Sequence, residues 1–481
     1  MRPLSFLACA CLLGAPLALA QTSTLPDSSW ARTSVNGVVF RGSSVATFGT
    51  TQYTAYYDRD SNVVLAKRTR GSTKWTTKVT NLTGTVSDAH NSISIQVDGD
   101  GFLHLAWDMH GTKLRYCKSL VAGGLDMGPE QAMVGTLETA VTYPQFFRLA
   151  NGNLLFLYRD GSSGSGDLTL NRYDIKTKAW TRLQTKLVDG QGQRNAYWQC
   201  HIDKNGVLHL SWVWRETADV STNHDMCYAR SRDGAVTWEK SDGTKYSLPI
   251  TAASAEYALK IAQKSDLINQ TSIFGDAMSH PWIATYWAPS GTGIPQYQLI
   301  HHDGTAWKTQ QISHRTTAFS LSGVGTKQIP ISRPQLVVDA TADSVGVAMI
   351  FRDVERGDKV SLMRTTNLVK DIWTVTDLTD STVQAWEPSY DIDLWNSSRI
   401  LALFVQRMGQ GDGETSVALG PQPVQILEWA PPVSTSILRH SRTKATMASA
   451  PRIDISGRVI PGQHQEIEPE HSLEFHRLEL R

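Results

Sequence analysis

Short runs of alternating apolar and polar residues recur along the chain, each fed by a tight polar turn. Val97-Asp98-Gly99-Asp100-Gly101-Phe102-Leu103-His104-Leu105-Ala106-Trp107-Asp108 is one such unit. Leu149 to Asp160, built around Asn151-Gly152-Asn153, has the same form, and so does Ile202 to Trp212 around Asn205-Gly206. Weaker copies run from Val337 to Asp353 and from Ile392 to Gln406, and the chain before Tyr57-Asp58 resembles them. The period of two predicts half-buried strands, and the Gly-containing turns predict hairpins between them. Each unit continues into a second strand pair, as in Leu114-Arg115-Tyr116-Cys117, Leu168 to Tyr173 and Cys227-Tyr228-Ala229-Arg230. Helical periodicity is confined to one short stretch, Ala255 to Lys264.

The turn glycines Gly101, Gly152 and Gly206 lie 51 and 54 residues apart. A period of about 50 residues holding four short strands is that of a propeller blade. From about Val35 to Trp429 it predicts an all-β fold, a seven-bladed β-propeller of four-stranded antiparallel blades. Ser231-Arg232-Asp233-Gly234-Ala235-Val236-Thr237-Trp238 matches in part the Asp-box turn of such propellers, with Ala235 at the glycine position. That motif is architectural: the Asp caps a hairpin and the Trp packs between blades.

The ends read differently. Arg2, the apolar run Leu4 to Leu19 and Ala18-Leu19-Ala20 before Gln21 form a secretory signal peptide over 1–20. A propeller domain over 21–430 and a C-terminal tail over 431–481 follow. The tail opens with Pro431-Pro432, ends in closely spaced charges and carries no sustained alternation. The expected molecule is secreted, monomeric and without a membrane span. A net charge of +1 gives no field for nucleic acid or a membrane surface. Removing Cys9 and Cys11 with the signal peptide leaves Cys117, Cys200 and Cys227, an odd number, so a disulfide framework is not expected. Fifteen Trp and fourteen Tyr are first of all sheet core, with some free to line a sugar site.

A propeller binds ligands where successive blades converge on the mouth of the central channel, so a site there draws on each repeat in turn. His90 and Asn91 stand at the entry to a strand, and His110 follows the next strand, which returns the chain to the same end. The next repeat places Tyr143 at its entry and Arg159 at its exit; the one after places Tyr197 and Arg215. Any one of these taken singly could be a turn residue, a core phenol or half of a salt bridge, Arg159 with Asp160 or Asp167 for example. Together they suit β-elimination from a uronic acid. A guanidinium fits the carboxylate, onto which charge moves as the C5 proton leaves. Imidazole or phenol can serve as base or acid. A phenol with its ordinary pKa of about 10 is a poor base at neutral pH unless neighbouring cations depress it.

These same segments, Asp88-Ala89-His90-Asn91-Ser92-Ile93-Ser94, Trp107-Asp108-Met109-His110-Gly111, Thr142-Tyr143-Pro144-Gln145-Phe146 and Asn195-Ala196-Tyr197-Trp198, resemble the BNR-repeat-containing propeller polysaccharide lyases of the ulvan lyase type. The resemblance runs from about Gly42 to Trp429. It implies an enzyme that cuts a sulfated glycan of rhamnose-3-sulfate linked to glucuronic or iduronic acid, leaving an unsaturated uronyl end. It implies Tyr143, His110, His90 and Arg159 as catalytic residues, with Arg159 the neutraliser and Tyr143, helped by His110, the favoured base and acid. Asn91, Tyr197 and Arg215 are expected to bind substrate.

No cofactor is required for this chemistry. His224 and Cys227, with His209 and His280, are a candidate structural zinc set. The alternatives are a sialidase-like glycoside hydrolase, for which Arg159, Arg333, Arg352, Glu387 and Tyr390 could be drafted, and a non-catalytic glycan-binding propeller.

Overall fold

The computed structural model describes residues 20–340 and 345–432. The expected signal peptide therefore lies, except for its last residue, outside the described residues, and so does the tail beyond Pro432. Seven antiparallel sheets follow one another along the chain as the blades of a propeller. The first blade holds strands Val45–Phe48, Thr51–Tyr57, Asn62–Thr69 and Thr76–Thr83. The fourth holds Asn195–Ile202, Leu208–Arg215, Asn223–Ser231 and Glu256–Leu259. The fifth and sixth, starting at Ser272 and Gln335, also have four strands each.

The other three blades vary the plan. The second has strands Ser94–Val97, Leu103–Ala106 and Tyr116–Lys118, with a single bridge from Ser119 to Met127 standing in for the fourth. The third, Val141–Arg148, Leu154–Asp160, Asp167–Asp174 and Ala179–Val188, gains a fifth strand, His110–Thr112, from the preceding repeat. In the seventh, Leu401–Val405 and Gln422–Trp429 pair with the N-terminal strand Gln21–Ser29. That pairing of the two ends of the domain closes the ring, with Gln21–Ser29 as the outer strand of the seventh blade. The seventh blade's innermost position is only a bridge, Tyr390 to Leu403, because the chain before it forms the helix Ile392–Ser398, capped by the Asp391 carboxylate on the Leu394 N–H. The stretch expected to be helical, Ala255 to Lys264, instead supplies the outer strand Glu256–Leu259. Pairing with Met226 to Tyr228 satisfies its backbone there, which outweighs a weak local preference.

The repeating turn has one mechanism. In Asp98, Asp203 and Asp276 the same carboxylate oxygen accepts the N–H groups two and four residues on, at 2.8 to 3.0 Å. The other oxygen of Asp98 meets His104 Nε2 at 3.2 Å, and that of Asp203 meets His209 Nε2 at 3.1 Å. Each imidazole Nδ1 in turn meets a phenol, Tyr116 at 2.8 Å and Tyr228 at 2.9 Å. These histidines are buried clips that tie a turn to the third strand of its blade. The Asp-box behaves likewise: Asp233 accepts from Val236 N, Thr237 N and two hydroxyls, and Trp238 is buried. Ala235 takes the left-handed backbone (φ +71°) that a glycine would adopt more readily.

Between blades the contact is apolar, with Trp198, Trp212 and Trp214 among the largest buried side chains. One polar clip joins three blades: buried Arg41 donates to the carbonyls of Asn36, Ala55 and Ile93 and lies 4.4 Å over the Phe404 ring. Cys117, Cys200 and Cys227 are buried free thiols. No helix among the described residues is long and apolar enough to cross a membrane.

Candidate active site

At one mouth of the channel the strand ends of the second, third and fourth blades enclose a cavity of about 220 Å³. Its lining includes His90, His110, Tyr143, Arg159, Tyr197 and Arg215. The register explains how three of them meet. Thr142 pairs with His110 on one side and with Arg159 on the other, so one row of the third blade carries both. The Thr142 hydroxyl accepts from Gly111 N at 2.8 Å and from Arg159 Nη2 at 3.0 Å.

Immediately after Thr142 the register shifts, and Tyr143 takes a left-handed φ of +58°. A bulge of this kind re-aims a side chain. Here it turns the Tyr143 ring to within 5.7 Å of His90 and 6.1 Å of Tyr197, and brings the Arg159 guanidinium 4.9 Å over it. Thus Arg159 shares one cavity with both imidazoles and both phenols.

The histidines form a stack. Phe40, His90 and His110 lie face to face, at centroid spacings of 4.6 and 4.0 Å. Asp88 fixes both imidazoles: one oxygen lies 3.0 Å from His90 Nδ1 and the other 2.6 Å from His110 Nδ1. His90 Nδ1 also lies 3.0 Å from Glu414, which comes from a loop of the seventh blade. Because each Nδ1 is engaged by a carboxylate, Nε2 is left on each ring for the cavity. Burial works against charge on His90, but the bonds to Asp88 and Glu414 prevail and raise its pKa. Asp88, though buried, is held far below the usual carboxylate range by the same two imidazoles.

The two phenols differ. The Tyr197 hydroxyl sits 3.0 Å from Arg215 Nη1 and 2.7 Å from the Ser163 hydroxyl. Burial raises its pKa, but Arg215 and then Arg159 overcome that and bring it down to about 8. Tyr143, where burial and the neighbouring Tyr197 outweigh three arginines, is raised above the ordinary phenol value.

Asn91 is not brought into the cavity. Its Nδ2 donates to Thr85 O and its carbonyl accepts from the Tyr57 hydroxyl, so it closes the turn beneath His90. Arg159 makes no salt bridge among the described residues; Asp167 pairs with Lys186 instead. Of the residues drafted for a hydrolase, Arg159 and Arg333 line this cavity, but the set does not converge. Glu387 is taken by both the Nε and Nη2 of Arg333, Arg352 is tied to Asp358 and backbone carbonyls, and Tyr390 lines a different cavity.

The histidines of the candidate zinc set are engaged by other partners. His209 has both nitrogens engaged by Asp203 and Tyr228, His224 bonds Glu216 and Asp225, and His280 faces Asp276. Among the described residues, the one group of three or more such side chains close enough for a shared ion is Asp88, His90 and His110.

The sequence reading passed over Asp88, Glu414, Ser163, Asn269, Thr326 and Lys327, of which the last four line the cavity. The Asp in Asp88-Ala89-His90 was the available signal for the first.

A family model described as a BNR repeat-containing family member matches residues 51–315. The chain belongs to that family. Among curated relatives, the short isoform of ulvan lyase from Alteromonas sp. (strain LOR) is 25% identical over 247 residues, covering 39% of this chain and 45% of the relative. The long isoform from Pseudoalteromonas sp. (strain PLSV) is 23% identical over 238 residues, covering 39% of this chain and 23% of the relative. The match thus spans less than half the length of these BNR-repeat relatives. Two solved structures share the fold. One is the polysaccharide lyase Uly1 (TM-score 0.62, 14% identity, 86% of this chain and 100% of that one). The other is a family 25 ulvan lyase bound to -[GlcA(1-4)Rha3S]- (TM-score 0.61, 11% identity, 84% and 95%).

Proposed function

We propose that this chain is an exported polysaccharide lyase that cleaves a sulfated, uronic-acid-containing glycan of the ulvan type by β-elimination. One observation carries the reading: Arg159, buried and without an acidic partner among the described residues, sits beside two phenols and two imidazoles on a single cavity. A buried guanidinium is costly unless an anion completes it. Its Nε is buried with no hydrogen-bond partner among the described residues, and the side chain lines the cavity, so a carboxylate entering there can complete the guanidinium.

The chemistry follows from that placement. With the uronate carboxylate on Arg159, charge released at C5 moves onto an already paired group. The proton at C5 then lies within reach of a phenol or an imidazole Nε2, and the departing O4 within reach of another. No metal or cofactor is needed for any of these steps. The ulvan lyase names of the relatives support the substrate class, and Arg215 and Lys327 add cations for an anionic chain.

The test is incubation of the purified chain with a panel of uronic polysaccharides, following ultraviolet absorbance of the unsaturated uronyl end. A carboxyl-reduced sample of the same polymer is the control. A lyase raises the absorbance with the native polymer and leaves the reduced one uncut, because C5 no longer adjoins a carbonyl. Cleavage of both without a chromophore would assign a hydrolase instead. Binding without cleavage would assign a lectin.

A further inference from the structure

We infer that Tyr197, held by Arg215 and Ser163, is the base that removes the C5 proton, and that Tyr143 is the acid that protonates O4. The assignment rests on the lyase reading above and deepens it. It departs from the choice of Tyr143 as base that the motif alone suggests.

The argument is one of charge. Three arginines border the cavity. Arg333 is completed by Glu387 in a bidentate pair. Arg159 is matched to the substrate carboxylate. Arg215 has no carboxylate partner among the described residues: Nε donates to Asn223 Oδ1 at 2.8 Å, Nη2 to Asn269 Oδ1 at 2.7 Å and Nη1 to the Tyr197 oxygen at 3.0 Å. Two of those acceptors are neutral amides that cannot ionise. The third can. A phenolate at Tyr197 gives the buried guanidinium its counter-ion through a charge-assisted hydrogen bond, with the Ser163 hydroxyl as second donor.

Tyr143 has no such arrangement. Arg159 lies over its ring and not on its oxygen, which makes no hydrogen bond within the described residues. The groups facing Tyr197 come from several elements. Arg215 and Asn195 belong to its own blade, Arg159, Tyr143 and Ser163 to the third blade and its hairpin, and Asn269 to the link to the fifth. Lys327, Arg333, His90 and His110 complete the cavity. The nearby charges are predominantly positive, because Asp88 and Glu414 already face His90 and His110. Two phenols whose surroundings drive their ionisation in opposite directions divide acid from base.

The step balances. The Tyr197 oxygen forms a bond to the C5 hydrogen as a proton, and the C5–H pair becomes the C4=C5 double bond. The C4–O4 bond breaks with its pair on oxygen, which takes the Tyr143 proton. The enzyme is left with Tyr197 neutral and Tyr143 as phenolate, and one proton passed between the two, whose rings are 6.1 Å apart, restores it.

The experiment reads the phenolate directly, without substrate. Near-ultraviolet titration of the full chain is expected to show one tyrosine ionising with a midpoint near 8, before the others. Tyr197→Phe removes that step, Tyr143→Phe retains it, and Arg215→Met moves it upward in pH. On a cleavable polymer, Tyr197→Phe lowers kcat by about 10²- to 10⁴-fold, the usual worth of a general base. The acid limb of the wild-type kcat/KM profile falls at the same midpoint as the titration. The proposal is overturned if the early step survives in Tyr197→Phe, if it disappears only in Tyr143→Phe, or if Tyr197→Phe keeps wild-type kcat. Should no polymer be cleaved at all, the lyase reading fails while the titration still decides which phenol Arg215 ionises.

Discussion

Replacing Asp88 by Asn tests whether the stacked imidazoles act as a pair. The carboxylate accepts His90 N at 2.8 Å and faces His90 Nδ1 at 3.0 Å and His110 Nδ1 at 2.6 Å. Asn keeps the size and one acceptor but turns a donor toward one ring. That ring can then meet it only with an unprotonated Nδ1, which moves the proton to Nε2 on the cavity side. Bonds to charged groups contribute about 1.5–3 kcal/mol each. The His110 bond is discounted because that side chain is a third exposed. The net loss of stability should therefore be about 2–3 kcal/mol, read as a lower urea midpoint at unchanged slope.

The catalytic effect should be larger, because the wrong tautomer reaches the substrate. A fall in kcat/KM of roughly 10²-fold or more is expected, with KM little changed, since Arg159 still holds the carboxylate. The assay is the chromophore rate across pH on the polymer that the wild type cuts, with imidazole nitrogen shifts by NMR as a substrate-free check. Unaltered tautomers, or a wild-type profile in Asp88→Asn, would show that the histidines are stacked for packing alone.

Three further outcomes are expected. Arg159→Lys keeps the charge but loses the planar fork, so kcat/KM should drop by at least about tenfold, and Arg159→Met should lose nearly all activity while the fold, followed by circular dichroism, persists. Asp391, whose pKa burial and neighbouring Asp393 raise to about 7, is protonated in the fold up to that pH. Below about pH 4 it is protonated folded or unfolded and costs nothing. From there to pH 7 the unfolded chain gains by ionising, so wild-type stability should decline relative to Asp391→Asn by up to about 4 kcal/mol, measured by urea unfolding across pH 4–8. His209→Ala should destabilise by about 2–4 kcal/mol by orphaning Asp203 and Tyr228, whereas a chelator should leave the wild-type melting temperature unchanged; a chelator-sensitive melt would restore a structural metal.

How much of this was legible depends on where each residue stands in the repeat. The blades could be read because turns such as those at Asp98, Asp203 and Asp276 use the same device, an Asp whose carboxylate gathers two N–H groups, and that device has a fixed spacing in sequence. Six of the seven cavity and binding residues expected from sequence do line the cavity, because each sits at a strand end and antiparallel pairing returns alternate ends to one mouth. Asn91, the exception, sits next to His90 yet is consumed by its own turn. Glu414 was invisible for a different reason. It lies on a loop without pattern between two strands of the seventh blade, 325 residues from the Ala89 N–H it accepts, and only ring closure brings the two together. His209, like His104, belongs to the repeat itself: the Asp before it and the Tyr across the sheet engage both nitrogens. A repeated histidine in a repeat protein is first a property of the repeat.

At the mouth of the channel the third and fourth blades repeat a Tyr at the entry strand and an Arg at the exit, but set them in different surroundings. The third blade's entry strand has a bulge and a left-handed Tyr143, and it borrows His110–Thr112 from its neighbour as an extra strand. Both features depart from the plain four-stranded plan, and both put a proton-carrying side chain beside Arg159. The acids near the cavity are already matched: Asp88 and Glu414 by His90 and His110, and Glu387 by Arg333. The cations left over, Arg159 and Arg215, are buried, and neither can be deprotonated cheaply. A cavity so composed has a deficit of negative charge that a neutral sugar does not fill. It is met when a carboxylate-bearing ring enters against Arg159 and a phenol ionises against Arg215, which are the two conditions that β-elimination needs at once.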